Sequence, residues 1–373
     1  MNSKEKNLLM IINKLNNIII DEDVERIIAD DLPWDTFKGK TVLVTGASGM
    51  IPSYVVYTML GLNDSLNMGI KVLALVRNEA KARGIFGELL ERDDLELVVH
   101  DVTSSFFDND QNCSIDGPID YVFHGASPAK PQQHKTSPVD TLRANAFGTA
   151  NLLELAVYKK AKGFVLFSSS EVYGAVKWVE SISETDYGYL DPLNPRSCYS
   201  EGKRAAETLC ASYQAQYGVR CCIPRFAHIY GPGMSVSDGR VQADFAANVY
   251  RGEDIVMKSD GSSKRAYTYV SDAISGMFYA LLKGDAVDGE AFNIADSDNV
   301  ISIRQLAEAF VACKKDKGLK LVIDIPENTK GLYNPATFIG LDNGKIKALG
   351  WSPKVGIAEG VSRMVGHLEI SGQ

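Results

Sequence analysis

Apolar and polar positions fall along this chain in blocks. Nearly unbroken apolar runs occur from Thr41 to Thr45 and in KVLALVRN, LELVVHDVT, IDYVFHGAS, GFVLFSSSEVYG and VRCCIPRFAHIYGPG. Longer stretches with helical character lie between several of them. One opens at GASGMIPSYVVYTML, one runs from about Val139 to Lys160, and one runs from about Ser197 to Tyr217, where Gly218 ends it. Short apolar runs bounded by turns predict strands buried on both faces. Their alternation with helices predicts an α/β fold with a doubly wound parallel sheet over 37–230, in which VRCCIPRFAHIYGPG forms one sixth strand.

Beyond Pro232 the texture changes to short segments, turns such as KSDGSSKR, and single helices. Residues 231–373 are therefore expected to form a smaller, mainly substrate-binding C-terminal region, with some segments returning to the main sheet. The start, KEKNLLMIINKLNNIII, imitates a signal peptide. Lys14 and two asparagines interrupt its apolar run, no small-residue cleavage site follows, and it is too short to span a bilayer. Residues 1–36 are read as a helical extension packed on the body or on another subunit.

Composition narrows the function. Of 373 residues 45% are hydrophobic and 23% charged, which is ordinary for a globular core. The net charge of -8 argues against a nucleic-acid surface. The six cysteines form no CxxC pair and no metal-ligand spacing with the five histidines. The expectation is reduced thiols, no metal, no membrane and a cytoplasmic protein.

Two local patterns carry chemistry. TGASG directly follows the first strand and opens a helix, the context of a dinucleotide phosphate loop: a tight turn, close backbone approach and a helix N-terminus facing the pyrophosphate. The spacing is Gly46-x-x-Gly49-x-x-Pro52, with proline in the third position, where a helix's first turn tolerates it. At the end of the second strand Arg77 stands where an acid would grip the ribose of NAD; an arginine suits the 2′-phosphate of NADP, with Lys81 or Arg83 as helpers. A solvated basic loop is the alternative. Asp101, after the third strand, is placed for an adenine contact. In PRSCYSEGKRAAETL, Tyr199 and Lys203 are four residues apart and share a helix face. A nearby ammonium lowers a phenol's pKa, so the pair reads as a poised acid/base or as a packed tyrosine beside a lysine.

With glycine turn and Tyr199/Lys203 on one Rossmann-type sheet, the chain resembles the extended short-chain dehydrogenase/reductase family of nucleotide-sugar enzymes. The resemblance covers about 38–373 and rests on TGASGMI, HDVT, HGAS, LRANAFGTANLLELA, SSSEVYG, YSEGK, RFAHIYGPG and RAYTYVSD, in that order. SSSEVYG, PRSCYSEGKRAAETLC, DGRV and RAYTYVSD look most like UDP-glucuronate decarboxylases. The resemblance implies bound NAD or NADP held by Gly46, Ser48, Gly49, Met50, Ile51, Arg77, Asp101, Val102, Gly125, Ala126, Ser127, Phe226 and His228, together with Tyr199 and Lys203. It implies that Tyr199 takes the sugar 4-hydroxyl proton, that Lys203 binds the nicotinamide ribose and lowers the tyrosine pKa, and that Ser169 holds the 4-oxygen. Ser170 and Glu171 match the decarboxylase pair beside the sugar, and Arg265 with Arg240 would clamp the diphosphate. It further implies a homodimer formed through helices near 140–160 and 197–217.

Three positions depart from the family pattern: Pro52, Arg77, and His228 where asparagine is usual. A 4-epimerase, a 4,6-dehydratase and an NAD(P)H-dependent reductase of a nucleotide-linked keto sugar therefore remain open, as does a non-catalytic nucleotide-sensing subunit. Asn145 matches a supporting asparagine of the family or pairs with backbone. His124 and Trp351 are read as structural, and an ion pair with Asp272 is the alternative role for Arg265.

Overall fold

The computed structural model describes Leu15 and residues 17–108, 112–176, 179, 181–283, 289–325 and 340–372. Most of the first sixteen residues of the expected extension, and 326–339 of the expected C-terminal region, lie outside the described residues. The first half supplies strands β1 (Thr41–Thr45), β2 (Lys71–Val76), β3 (Leu95–Val99), β4 (Tyr121–His124), β5 (Gly163–Leu166), the short β6 (Ser168–Ser169) and β7 (Ser181–Ile182). They are followed by β8 (Cys221–Phe226), β9 (His228–Tyr230), β10 (Ile255–Met257), β11 (Lys264–Tyr269), β12 (Glu290–Ile294) and β13 (Val300–Ser302). The helices are α1 (Ile18–Ile28), α2 (Met50–Leu66), α3 (Glu79–Phe86), α4 (Pro131–Thr136), α5 (Pro138–Lys159), α6 (Cys198–Tyr217), α7 (Val241–Arg251), α8 (Val270–Leu282), α9 (Ile303–Ala312), α10 (Gly344–Ala348) and α11 (Ile357–Ser371).

The main sheet is parallel, in the order β12-β8-β5-β4-β1-β2-β3, with β6 continuing alongside β8. This is the doubly wound Rossmann arrangement. The strand order reverses between β1 and β4, and ligands of such sheets bind outside the strand ends at that point. Central strands are buried along their length, Cys221 and Cys222 included, because helices cover both faces. All six cysteines are free thiols.

The expected single sixth strand is two. β8 stays in the main sheet to Phe226; at Ala227 the chain turns aside and β9 pairs with β11 in a second sheet, β13-β11-β9. The Ala227 N–H is taken by the carbonyl of Ile294 at the end of β12, so the ladder ends there. The break swings His228 off the core sheet and onto the facing wall of the cleft.

The described part of the extension packs on its own chain. Asn17 caps α1 by accepting from the N–H groups of Ile19 and Ile20. Helix α1 then lies on α2, α8 and α11. Gly61 makes room: a Cβ there would lie 2.6 Å from Val24. The buried Asp23 accepts from Tyr54 Oη and Tyr269 Oη, each at 2.8 Å, and pairs with Arg363 at 2.8 Å. Burying a carboxylate is costly unless it is paired and hydrogen-bonded, and here three partners from α2, β11 and α11 serve it.

Candidate active site

One cleft of about 1520 Å³ opens along the carboxyl ends of β1, β2, β4 and β5 and is faced by β9, β11 and the start of α7. Its cofactor-side floor is the turn after β1. Gly46 has φ +66°, and a Cβ on it would sit 2.8 Å from the Cα of Ala126, so only glycine fits. Gly49 caps α2 and leaves that helix's first N–H groups facing the cleft. Pro52, in place of a third glycine, packs on Gly125. The close approach comes from the other partner, because a Cβ on Gly125 would lie 2.6 Å from the proline ring.

Around this turn, Ala126 N donates to Thr45 Oγ1 (3.2 Å), and Ser127 Oγ donates to Asn145 Oδ1 (2.9 Å) while Asn145 Nδ2 donates to the Thr141 carbonyl (2.8 Å). Asn145 thus supports a cleft-lining serine and pairs with backbone. His124 is held between Thr45 (2.8 Å) and Thr149 (3.1 Å), and burial pushes its pKa down to about 3, which fits a structural role. Trp351 is buried and donates to the Asp272 carbonyl (3.2 Å). Arg77 projects into solvent at the end of β2, 3.9 Å from Asp101. Burial raises the Asp101 carboxyl, but the Thr103 N–H and hydroxyl and the Arg77 charge outweigh it, so its pKa falls below the usual value.

The reactive cluster forms where β5 and β6 meet the first turns of α6. Tyr199 is half-buried. Lys203 is buried, donates to the Phe167 carbonyl at 2.7 Å, and places its ammonium 5.8 Å from the Tyr199 ring centroid. Burial lowers the Lys203 pKa to about 8 against the pull of Glu207. The expected lowering of the tyrosine pKa is not met. Burial and then the Glu171 charge push the Tyr199 phenol up to about 12, over the opposing effects of the Ser169 hydroxyl, Arg240 and Arg196. Lys203 is spent on a carbonyl, and its charge is offset by Glu207.

Glu171 follows β6 in a short 3-10 turn capped by Ser169 Oγ, which accepts from the Glu171 N–H at 3.2 Å. Its carboxylate is gripped by Arg196 in a two-pronged contact (2.9 and 3.1 Å) and by Ser200 Oγ (2.9 Å). On the opposite wall His228 sits edge-on to Tyr267, 5.9 Å between centroids, and burial with the charges of Arg265 and Arg240 lowers its pKa to about 4. Arg240 is paired with Asp238 (2.5 and 3.0 Å), and Arg265 donates to the Lys264 carbonyl (2.6 Å). Asp272 accepts from the N–H groups of Lys354 (3.0 Å) and Val355 (2.9 Å), so its carboxylate is occupied away from the cleft.

The family model described as "NAD dependent epimerase/dehydratase family" matches residues 42–295. The chain belongs to this family. UDP-glucuronic acid decarboxylase 6 of Arabidopsis thaliana is 33% identical to it over 326 residues, covering 87% of either chain. Among solved structures, a UDP-glucose 4-epimerase of Thermotoga maritima with UDP-glucose superposes with a TM-score of 0.72 at 25% identity, covering 89% of this chain and 100% of that one. A UDP-glucuronic acid 4-epimerase of Bacillus cereus with UDP-glucuronic acid and NAD reaches 0.71 at 22% identity, covering 88% and 99%, which speaks to the fold. The cradle fits the family's dinucleotide. Gly46, whose Cβ would collide with the Ala126 backbone at 2.8 Å, and Gly49, whose Cβ would be crowded 3.2 Å from the Gly46 carbonyl oxygen, lie beside a helix N-terminus that no side chain caps.

Arg83, expected as a helper of Arg77, turns to Glu79 (2.7 Å) and does not line the cleft, but the other cofactor-side candidates do, from Gly46, Ser48, Gly49, Met50 and Ile51 through Arg77, Lys81, Asp101, Val102, Gly125, Ala126 and Ser127. The same holds for Ser169, Ser170, Glu171, Tyr199, Lys203, Phe226, His228, Arg240 and Arg265. Sequence reasoning missed Arg196 and Ser200, which hold Glu171, although both stand within PRSCYSEGK. It also missed His134, whose ring stacks on Tyr199, and Glu207, which ties β6 to β8 through Ser168 and Arg225. No cluster able to hold a metal occurs among the described residues.

Proposed function

We propose that this enzyme decarboxylates UDP-glucuronate, with oxidation at the sugar C4 as the first chemical event. The reading is supported by one conjunction: a fixed carboxylate, Glu171, stands beside Ser169 and Tyr199 in a chain one-third identical to a UDP-glucuronic acid decarboxylase. A nicotinamide held by the glycine turn and Lys203 would supply the hydride acceptor, and later donor, at C4. Tyr199 takes the 4-hydroxyl proton, and Ser169 holds the same oxygen. Loss of the C4 hydrogen as hydride and of the 4-hydroxyl proton leaves a ketone β to the C6 carboxylate. The C5–C6 bond then breaks, its electrons delocalise toward the C4 oxygen, and carbon dioxide leaves. Ser170 and Glu171 orient the reacting end, and Arg196 and Ser200 fix Glu171 in place. C5 takes up a proton, and Tyr199 gives its proton back to the C4 oxygen as the hydride returns, so there is no net redox change. Arg265 and Arg240 face the diphosphate, Lys203 the nicotinamide ribose, and the glycine turn the pyrophosphate.

The superposition on a UDP-glucose 4-epimerase supports 4-epimerisation as the second reading, since it shares the C4 oxidation and omits carbon loss. Incubation of the purified protein with NAD and a panel of nucleotide sugars, read by mass, tests the assignment. A UDP-glucuronate product lighter by one carbon dioxide is expected. UDP-glucuronate left intact while another sugar is epimerised, dehydrated or reduced would overturn it.

Free thiols in all six positions support a reducing, cytoplasmic compartment. No helix among the described residues is long and apolar enough to cross a membrane. A homodimer through α5 and α6 is supported by the apolar Val139, Leu142 and Phe147 left exposed on α5.

A further inference from the structure

We infer that His134 is a positioning residue for Tyr199. This rests on Tyr199 being the acid/base of the reaction proposed above. His134 is 2% exposed, and its ring lies 4.6 Å from that of Tyr199 at an interplanar angle of 14°, a face-to-face stack. Its Nε2 is 2.9 Å from the Pro128 carbonyl oxygen, which only accepts, so Nε2 carries the hydrogen. Nδ1 is buried without a hydrogen-bond partner. A proton there would have no acceptor, and the ring is held in one neutral tautomer. Burial and the nearby Arg196 and Arg240 charges keep its pKa below the ordinary histidine value, against the Pro128 carbonyl and Glu171. Cys198, the residue before Tyr199, directs its thiol at the His134 carbonyl (3.7 Å).

The arrangement does two things. It presses a flat, uncharged plate on the phenol ring, so the tyrosine cannot swing about its own axis while its oxygen meets the sugar hydroxyl. It also ties the orientation of Tyr199 to the segment after β4, because His134 hangs from Pro128, one residue past the cofactor-lining Gly125-Ala126-Ser127. The groups that face Tyr199 are Glu171 and Ser169 from the β6 turn, Arg196 and Lys203 from α6 and its approach, Arg240 from before α7, and His134 from α4. Of these, His134 is the one that touches the ring face without adding charge. Replacing it by a non-planar side chain frees the ring and admits water to the phenol.

Steady-state kinetics of the full chain with NAD and UDP-glucuronate test this. His134→Ala is expected to lower kcat on the order of tenfold, with KM for UDP-glucuronate changed by less than about threefold. His134→Phe, which keeps a flat ring and loses both nitrogens, is expected to keep kcat within about threefold of wild type. The pH profile of kcat separates positioning from mere stability. In His134→Ala the better hydrated phenol ionises at lower pH, so the limb that follows Tyr199 ionisation moves to lower pH, while in His134→Phe it stays. Should the alanine variant not fold, His134→Leu, which fills the volume without a planar face, takes its place with the same expected result. Wild-type kcat and an unmoved limb in the non-planar variant, with Tyr199→Phe inactive, overturn this inference alone. A His134→Phe variant as impaired as His134→Ala overturns it as well. Wild-type turnover in Tyr199→Phe overturns the functional reading and the inference with it.

Discussion

Replacing Glu207 by alanine removes the support on which β6 and the reactive residues after it stand. The Glu207 carboxylate lies beneath the site, where Oε1 accepts from Ser168 Oγ (2.5 Å) and Arg225 Nε (2.9 Å) and Oε2 accepts from Arg225 Nη2 (2.7 Å). The two charged side chains are only 2% and 11% exposed. Truncating one member of a buried pair leaves an uncompensated charge and costs about 3–5 kcal/mol. Arg225 retains Tyr173 Oη (3.1 Å) and the Glu184 carbonyl (2.7 Å) at Nη1 and Tyr187 Oη (2.8 Å) at Nη2, but its Nε–H loses its acceptor and its charge is left unpaired. A loss near 4 kcal/mol is a large share of the roughly 5–15 kcal/mol that stabilises a typical domain. Urea unfolding followed by circular dichroism reads the loss as a drop in midpoint at unchanged m. Glu207→Leu combined with Arg225→Met is expected to recover more than half of it, because an apolar pair carries no unpaired charge. A loss below about 1 kcal/mol for Glu207→Ala, or no recovery in the double variant, would refute the argument that the pair is tightly coupled.

Three further outcomes follow from separate parts of the structure. Gly46→Ala is expected to abolish cofactor binding in a fluorescence titration with NADH, since its Cβ would sit 2.8 Å from the Ala126 backbone at a φ of +66°; binding within about threefold of wild type contradicts the cradle. Arg77→Ala is expected to weaken NADP binding by about tenfold and leave NAD within about twofold, because among the described residues the exposed guanidinium meets only the distant Asp101 carboxylate; equal losses for both cofactors contradict a role at the 2′-phosphate. Burial raises the Asp272 pKa from the ordinary 3.8 to about 6 over the opposing Lys354 and Val355 N–H groups. An acid whose folded pKa is raised contributes stability that is full below pH 3.8 and is lost as pH climbs through 6, up to about 3 kcal/mol. Asp272→Asn should therefore flatten the fall in urea midpoint between pH 4 and 6, and an unchanged slope contradicts the assignment.

The main sheet was legible because its central strands are buried on both faces and read as continuous apolar runs. The glycine turn was legible because its chemistry is local, within six residues of β1. Tyr199 and Lys203 could be paired because helical spacing alone puts them on one face. The pKa logic built on that pairing failed, because Lys203 turns to the Phe167 carbonyl, and a backbone acceptor leaves no mark in sequence. The break at Ala227 was hidden for a related reason. CCIPRFAHIY stays apolar across it, and only the distant β11, which receives His228 and Tyr230, decides where the strand ends. Arg196, Ser200, His134 and Glu207 act through contacts 25 to 65 residues away along the chain, except for the nearer Glu207–Arg225 pair. Asp23 drew no attention in an acidic stretch, yet it meets Tyr269 across 246 residues and Arg363 across 340. Local pattern thus marks the elements and the groups that react. The side chains that hold those groups in place are identified only once the fold brings them together.

The central claim is that Tyr199 exchanges a proton with the substrate beside a bound nicotinamide. Its most direct test is turnover of UDP-glucuronate by Tyr199→Phe, followed by mass, alongside a titration of the same protein with NADH. The account predicts a fall in kcat of about 10²- to 10⁴-fold with cofactor affinity held within about threefold. Turnover at the wild-type rate would contradict it.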